Sequence, residues 1–376
     1  MDARAIVARE PSAGPTWALE AITVGAPADD EVLVKITATG ICHTDILLSS
    51  MPTGALGLAY PKIVGHEGAG IIQAVGKNVS KVSVGDKVLL SYYSCSNCGH
   101  CKASRPTYCT EFNLENYAGR KWPGMVCKDS GEEAWAQFFG QSSFAEYTLA
   151  AETSVVNVSG LLQSDEELNL FAPLGCGFQT GMGAVANVAS AGPDDVVLVM
   201  GMGAVGMAAL MTAKIRNSKT IIALDRFANR LELSREVGAT HTLNTAVDGF
   251  DFQQAVREIS PTGASVIVDT TGVGQLIEEA FESLSSLGKL VHVAPTPPDY
   301  KLKVDTTALL MSGKTITGCI EGNCISSEAV PQMIQWYREG RFPFDKLITF
   351  IPALEFAKAL EGMHDGSVLK PVLTWS

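Results

Sequence analysis

The sequence predicts an α/β protein of two domains, a compact antiparallel β-barrel and a doubly wound parallel sheet. Its 376 residues are too many for one small core and suggest about two domains. The first part of the chain contains short strand-like runs separated by Gly, Pro and Asp turns. From about residue 164 onward, apolar runs alternate with helical stretches, a pattern typical of parallel strands joined by right-handed crossovers.

The barrel is predicted from segments that alternate apolar and polar residues. These segments are EVLVKITATG (31–40), IIQAVG (71–76) and KVSVGDKVLL (81–90). Successive side chains of a strand point to opposite faces, so this alternation indicates strands with one buried face. Short strands of this kind between turn residues favour a compact antiparallel barrel.

The second domain is predicted from strand-like runs that are each followed by a helix-like run. Such units place parallel strands in a sheet that helices cover on both faces. The strand-like runs are VVLVM (196–200), TIIALD (220–225), SVIVDTTG (265–272) and KLVHVAP (289–295), and the helix-like runs are 204–216, 228–238 and 276–286. The chain ends in one further strand-like run, VLKPVLTW (368–375).

Composition narrows the classes of function. The formal net charge is −12, and binding to a phosphate backbone depends on Lys and Arg, so we expect no nucleic-acid partner. The N-terminal MDARAIVAREPSAG lacks an apolar core of signal-peptide length, and glycines interrupt the apolar run 196–213. We therefore expect a cytoplasmic protein with no membrane partner. Nine cysteines in such a chain favour metal binding or catalysis over disulfides.

A glycine fingerprint, GMGAVG, follows the run VVLVM and opens a helix-like run. Gly201 permits a tight turn, Gly203 lets the backbone approach a pyrophosphate, and Gly206 allows close packing of the helix. Asp225 stands about 20 residues farther on, where a carboxylate accepts hydrogen bonds from a ribose. This arrangement predicts a dinucleotide site that favours NAD over NADP, although the neighbouring Arg226 could tolerate a 2′-phosphate.

Two groups of residues that could bind zinc stand within the first 176 residues. Cys42, His66 and Cys176 occur in GICHTD, GHEGAG and PLGCGFQTG, and three ligands leave an open zinc position. Singly, such residues are most often buried packing residues. The stretch SCSNCGHCKASRPTYC (94–109) holds four cysteines spaced by two, two and seven residues. This spacing alone leaves a nucleic-acid-binding finger, a redox module and a zinc-carrying lobe open.

These motifs and the closing VLKPVLTW stand in the order found in zinc-dependent alcohol dehydrogenases of the medium-chain dehydrogenase/reductase superfamily. The chain resembles that family over essentially its whole length, with a general likeness to benzyl and aryl alcohol dehydrogenases. The resemblance implies a GroES-like catalytic β-barrel domain, 1–177 with 319–376 returning to it, and a Rossmann domain, 178–318, with the active site in the cleft.

The resemblance also implies two zinc ions and a set of site residues. Cys42, His66 and Cys176 would hold the catalytic zinc, and Cys95, Cys98, Cys101 and Cys109 a structural zinc. Thr44 would hydrogen-bond the substrate oxygen, Asp45 would orient His66, Glu67 would help zinc exchange ligands, and His43 would contact the cofactor or receive a proton. The remaining cofactor contacts would come from Thr180, Val205, Arg230, Val293, Cys319 and Lys370, together with Gly201, Gly203, Gly206 and Asp225.

The chain departs from some relatives at Leu47, where they carry the histidine that ends a proton relay. Phe138 and Phe139, with Trp135 nearby, suggest a large apolar substrate, although core packing explains aromatic residues as well. We expect an NAD-dependent zinc alcohol dehydrogenase, a homodimer or homotetramer, that acts on a primary, aryl or allylic alcohol or its aldehyde. The alternatives are a glutathione-dependent formaldehyde dehydrogenase and a non-catalytic zinc- and nucleotide-binding protein.

Overall fold

The chain divides into two units, which are described separately. The computed structural model describes residues 1–12 and 14–375, of which 120–123 by their backbone alone. The first unit comprises Met1–Cys176, Ile325–Ile334 and Leu347–Ser376, and the second comprises Gly177–Cys324 and Gln335–Lys346. Within the described chain, no helix has the length and apolar character needed to cross a bilayer.

Strands and short helices alternate along the described chain. The strands are β1 Asp2–Arg9, β2 Thr16–Val24, β3 Glu31–Gly40, β4 Lys62–Ile63, β5 Gly68–Val75, β6 Lys87–Leu90, β7 Arg120–Cys127, β8 Glu133–Ala136, β9 Tyr147–Ala151, β10 Val155–Asn157, β11 Val196–Met200, β12 Thr220–Asp225, β13 His241–Asn244, β14 Ala264–Asp269, β15 Leu284–His292, β16 Thr315–Gly318, β17 Ile348–Pro352 and β18 Lys370–Thr374. The helices are α1 His43–Ser49, α2 Gly99–Lys102, α3 Glu166–Phe171, α4 Gly177–Gly183, α5 Ala204–Ile215, α6 Ala228–Val237, α7 Phe252–Ile259, α8 Gly274–Glu282, α9 Thr306–Ser312, α10 Ser326–Arg338 and α11 Phe356–Asp365.

The first unit contains a closed barrel and a second sheet. The barrel consists of β1, β2, β7, β8 and β4, and the sheet has the order β10-β6-β5-β3-β18-β17, with β9 paired to β3. A barrel is therefore present, but the runs 31–40, 71–76 and 81–90 do not build it, because they contribute β3, β5 and β6 to the neighbouring sheet. Alternation indicates a half-buried strand and does not specify the strand with which it pairs.

The second unit contains a six-stranded parallel sheet of order β13-β12-β11-β14-β15-β16. This confirms the predicted doubly wound α/β fold, and β11 and β12 coincide with VVLVM and TIIALD. On one side of the β11–β14 pair the sheet continues with β12 and β13, and on the other side with β15 and β16. The core includes buried Leu198, Ile222 and Ile267. Strand β13 and helix α7 were not predicted from the sequence.

Lys62, in strand β4, is a buried lysine. Its side chain is fully buried, and Nζ donates a hydrogen bond to Ala118 O at 2.5 Å and lies 5.4 Å from the centroid of the Phe138 ring. Burial lowers the pKa of Lys62 to about 7, because a buried ammonium group loses its hydration. The unfolded chain, with an ordinary lysine pKa, therefore binds a proton between pH 7 and pH 10 that the folded protein does not bind.

We expect the contribution of Lys62 to the free energy of unfolding to rise with pH across this window. The slope approaches about 1.4 kcal/mol per pH unit for one proton. Lys62→Met removes this contribution, so its stability relative to the unmodified protein should fall by roughly 2 kcal/mol between pH 7 and pH 9 in urea denaturation. Lys77→Met, at an exposed lysine, is the matched control. Parallel stability curves for Lys62→Met and the unmodified protein would contradict the expectation.

Candidate active site

Two turns at one end of the β3–β5 pair carry most of the site. β3 and β5 are antiparallel, with Thr39 opposite Gly68, so the segment after β3 and the segment before β5 lie side by side. Cys42 lies in the first segment as the residue before α1, and His66 lies in the second. Gly40 packs against Glu67 of the facing segment, and a Cβ atom here would lie 2.0 Å from its carboxylate oxygen and displace that side chain.

Four side chains converge at these turns. Their potential ligand atoms lie within 4.8 Å of one another, and they belong to Cys42, His66, Glu67 and Cys176. Cys176 follows a 3-10 turn whose last residue, Gly175, packs so closely on β6 that a Cβ atom would lie 2.1 Å from Leu90 O. This contact brings Cys176 to residues far from it in the sequence.

Asp45 holds the cluster from behind. Its fully buried carboxylate accepts hydrogen bonds from Cys42 N at 2.9 Å and Gly65 N at 3.0 Å, and it lies 2.8 Å from His66 Nδ1. A carboxylate only accepts hydrogen bonds, so Nδ1 of His66 carries the ring proton. Nε2 of His66 is buried and has no hydrogen-bond partner among the residues that the structure describes.

This donor set fits a zinc ion. Zinc takes thiolate and imidazole ligands, and a buried nitrogen without a partner is costly unless a ligand satisfies it. The hydrogen bond from Cys176 lowers the pKa of Cys42 well below its usual range, against the effect of burial, and so favours the thiolate. Cys42, His66 and Cys176 thus lie together with the chemistry that a zinc site needs.

Glu67 forms a buried ion pair with Lys370 of β18. Nζ of Lys370 also donates a hydrogen bond to Ile41 O at 3.0 Å. Burial raises the pKa of Glu67 to about 7, and the attraction of Lys370 opposes this rise. The observed contacts of Lys370 are within the first unit, and its predicted contact with a pyrophosphate stays a prediction.

Helix α1 carries the residues for which proton transfer is predicted. Thr44 is half-buried, whereas His43 and Leu47 are exposed and lie one turn apart on the same face of the helix. Leu47 is 39% exposed and has no group that donates or accepts a proton. A proton acceptor on this face of the helix must therefore be a residue other than Leu47, such as His43.

Aromatic rings cover the cluster on the side of His66. The His66 ring stacks on Phe139 with centroids 4.3 Å apart, and Phe138 meets it edge to face at 5.4 Å. Phe112 and Tyr117 pack against Phe139 in turn. Buried apolar rings exclude water and strengthen electrostatic interactions at the cluster.

The four-cysteine segment forms a second cluster. The sulfur atoms of Cys95, Cys98, Cys101 and Cys109 lie within 4.8 Å of one another, and none of them forms a disulfide. Backbone hydrogen bonds point at sulfur, from Cys98 N to Cys95 Sγ at 3.3 Å and from Cys95 N to Cys109 Sγ at 3.4 Å. The backbone hydrogen bond from Cys101 lowers the pKa of Cys98 to about 5. Four thiols without another donor fit a closed zinc site.

The glycine fingerprint forms the turn between β11 and α5. Gly201 has φ of 88°, and a Cβ atom on Gly206 would lie 1.8 Å from Gly201 O. A Cβ atom on Gly203 would meet nothing within 4 Å, so the turn is open above this residue, and Val205 is half-buried beside it. The open space above Gly203 would let the N-terminal amides of α5 face a pyrophosphate.

Asp225 closes one side of this turn. It accepts hydrogen bonds from Met202 N at 2.6 Å and Phe227 N at 2.9 Å. The guanidinium groups of Arg226 and Arg230 each lie 4.7 Å from the centroid of the Phe227 ring. Arg230 is thus near Asp225, as a contact to the same ribose requires.

The other predicted cofactor residues lie at the same end of the sheet. Thr180 belongs to α4, which packs on α5 so closely that a Cβ atom on Gly181 would lie 2.0 Å from Val205 O. Val293 follows β15, and Cys319 follows β16. Asp269 and His292, the last residues of β14 and β15, were not among the predicted site residues, although Asp269 ends a buried run in SVIVDTTG as Asp225 does in TIIALD.

Known proteins are similar to this chain over its whole length. The alcohol dehydrogenase GroES-like domain model matches residues 28–160, and the zinc-binding dehydrogenase model matches residues 204–339. Geraniol dehydrogenase of Castellaniella defragrans is 33% identical over 377 residues, which are 100% of this chain and 98% of that protein. The crystal structure of benzyl alcohol dehydrogenase from Acinetobacter calcoaceticus has a TM-score of 0.91 at 36% identity, with 100% of both chains covered. An alcohol dehydrogenase zinc-binding domain protein from Burkholderia ambifaria has a TM-score of 0.92 at 36% identity, covering 100% of this chain and 99% of its own.

The barrel unit, the parallel sheet and the buried thiol and imidazole cluster define a zinc-binding dehydrogenase. The chain belongs to the zinc-dependent alcohol dehydrogenases of the medium-chain dehydrogenase/reductase superfamily. It is therefore an enzyme, an oxidoreductase whose substrate is a small-molecule alcohol, and not the non-catalytic binding protein considered above.

The two clusters should respond differently to the loss of a ligand. Cys98→Ser should remove zinc from a closed site whose metal supports folding, and lower the melting temperature by several degrees. Cys176→Ser should leave the melting temperature nearly unchanged and abolish alcohol oxidation. Elemental analysis and calorimetry measure these effects, with Cys127→Ser as the control that keeps the zinc content. Fewer than two zinc ions per chain in the unmodified protein would contradict the assignment of both clusters.

Proposed function

We propose that the protein oxidises primary allylic or aryl alcohols with NAD, or reduces the matching aldehydes. This proposal rests on the buried cluster of Cys42, His66 and Cys176. In this cluster Nε2 of His66 has no hydrogen-bond partner among the described residues, and aromatic rings pack against the imidazole. The names of two relatives support the substrate class, because geraniol is an allylic primary alcohol and benzyl alcohol an aryl one. Phe138 and Phe139 would pack against the unsaturated part of such substrates.

The residues of the first unit would prepare the alcohol for oxidation. Cys42, His66 and Cys176 would hold the catalytic zinc, which supplies a Lewis acid that lowers the pKa of a bound hydroxyl. Asp45 would keep the His66 ring in the tautomer that presents Nε2, and so would raise its basicity. Thr44, on the first turn of α1, would accept the hydroxyl proton and pass on its own. Glu67, paired with Lys370, would assist exchange of ligands at the metal.

The second cluster would hold a structural zinc, giving two zinc ions per chain. Four thiolates saturate a tetrahedral ion and leave no position for substrate. Cys95, Cys98, Cys101 and Cys109 would therefore stabilise the lobe without taking part in the reaction. The cytoplasmic location and the absence of nucleic-acid and membrane partners stay predictions from the sequence.

A homodimer or homotetramer also belongs to this proposal. Three large apolar side chains of the second unit are strongly exposed, Leu287 at 81%, Leu310 at 79% and Met311 at 81%. All three belong to elements near β16, the edge strand of the parallel sheet. Exposed apolar residues beside an unpaired strand edge are typical of a surface that another subunit covers.

A panel of alcohols tests the substrate class. Oxidation by the zinc-loaded enzyme, followed as NADH absorbance, should give kcat/KM at least about 100-fold higher for geraniol and benzyl alcohol than for ethanol, because each buried carbon adds binding free energy. Formaldehyde with glutathione is the discriminating arm. A rate that requires glutathione and exceeds the rate with every alcohol would favour the formaldehyde dehydrogenase instead.

Cofactor choice should depend on Asp225. Its carboxylate would accept hydrogen bonds from the adenosine ribose and repel a 2′-phosphate. Asp225→Ser should raise the ratio of kcat/KM with NADP to that with NAD by about 10- to 100-fold, as expected for the loss of one close repulsion. Asp248→Ser, at an exposed position, is the control. Equal efficiency of the unmodified enzyme with both cofactors would contradict the role of Asp225.

A further inference from the structure

A histidine and a carboxylate that belong to neither metal cluster meet at the end of the parallel sheet. Asp269 ends β14 and His292 ends β15, and the two residues are register partners. The Asp269 side chain is fully buried, and its Oδ2 lies 3.0 Å from His292 Nδ1. The His292 side chain is 32% exposed, so this carboxylate supports a ring that reaches the surface of the second unit.

The contacts of Asp269 determine how the imidazole is presented. Its carboxylate accepts hydrogen bonds from Thr271 N at 2.9 Å and Thr271 Oγ1 at 2.6 Å. A carboxylate only accepts hydrogen bonds, so Nδ1 of His292 carries the ring proton that faces Asp269. Nε2 is then a hydrogen-bond acceptor, and the hydrogen bond that the ring makes within the described part of the chain uses Nδ1.

The pair is joined to the glycine turn through one residue. Thr270, between Asp269 and Thr271, donates a hydrogen bond from Oγ1 to Met200 O at 2.8 Å and to Gly201 O at 3.0 Å. A Cβ atom on Gly201 would lie 2.6 Å from Thr270 Oγ1. His292 therefore lies at the same end of the sheet as the turn on which a pyrophosphate would rest.

The order of the strands indicates which half of a dinucleotide His292 faces. A dinucleotide crosses the sheet where the strand order reverses, which is between β11 and β14. Asp225 ends β12 on one side of this point and would receive the adenosine ribose. His292 ends β15 on the other side, so it lies on the side of the second nucleoside.

We propose that His292 Nε2 accepts a hydrogen bond from a ribose hydroxyl of the nicotinamide nucleoside. Asp269 is the positioning residue that holds the ring and its tautomer. The inference rests on the proposed dinucleotide-dependent function and adds a contact on the nicotinamide side. An imidazole acceptor suits a hydroxyl donor, and the buried carboxylate keeps the ring from turning away.

Three ligands separate this contact from a purely structural role. ADP carries the adenosine half alone, ADP-ribose adds the second ribose, and NADH adds the nicotinamide. Binding to the zinc-loaded enzyme is measured by titration calorimetry. His292→Asn keeps an amide near the position of Nδ1 and lacks a group at Nε2. It should weaken ADP-ribose and NADH by about 3- to 10-fold, the effect of one neutral hydrogen bond, and leave ADP unchanged.

His292→Gln provides the second variant, because its amide reaches the position of Nε2 and loses the bond to Asp269. It should retain more affinity for ADP-ribose than His292→Asn does, and His241→Asn, at the start of β13, should bind all three ligands normally. Unchanged ADP-ribose binding in His292→Asn, or an equal loss of ADP and ADP-ribose, would overturn the contact. If the unmodified enzyme binds none of the ligands, the dinucleotide function itself fails, which is a separate result.

Discussion

Asp45 accepts hydrogen bonds from Cys42 N, from Gly65 N and from the ring of His66, and these three donors belong to two segments that only the β3–β5 pairing brings together. A buried carboxylate is costly unless donors surround it, so the two segments stabilise the charge and the charge holds the segments. Because a carboxylate cannot donate, the same contact decides which nitrogen of His66 faces the two cysteines. The geometry of the metal site follows from this one buried group.

The rest of the site balances its charges in the same way. Glu67 and Lys370 neutralise each other in a buried pair, whereas the low pKa of Cys42 and the unpartnered Nε2 of His66 leave an excess of electron-pair donors. A divalent cation would complete this set, since two thiolates would compensate its charge and the imidazole would supply a further ligand. The rings of Phe138 and Phe139 keep water away, which makes each of these interactions stronger.

The second unit uses aspartates at strand ends for a related purpose. Asp225 and Asp269 each accept a hydrogen bond from the backbone two residues later, Phe227 N and Thr271 N, at 2.9 Å. Such turns redirect the chain sharply as it leaves a strand. The second oxygen of each carboxylate reaches a neighbouring segment, Met202 N in one case and His292 Nδ1 in the other. The two strand ends at which we propose that the nucleosides bind are thus formed by the same kind of turn.

Features that depend on neighbouring residues along the chain could be predicted from the sequence. β3, β11 and β12 follow from periodicity and turn residues, and the glycine turn follows from spacing, whereas the spacing of the four cysteines left the kind of site open. Periodicity reports which face of a strand is buried, and spacing reports which backbone turns are open to a ligand. Resemblance to a family supplied the joining of Cys176 to Cys42 and His66, which no local pattern contains.

Contacts between segments that lie far apart in the sequence became known from the folded structure alone. The runs 31–40, 71–76 and 81–90 joined a second sheet because pairing depends on register between remote strands. Lys370 met Glu67, and Asp269 met His292, because the sheets aligned strand ends that lie far apart in the sequence. Lys62 is buried for the same reason, since the segments that cover it, with Ala118 and Phe138, lie far from it in the sequence.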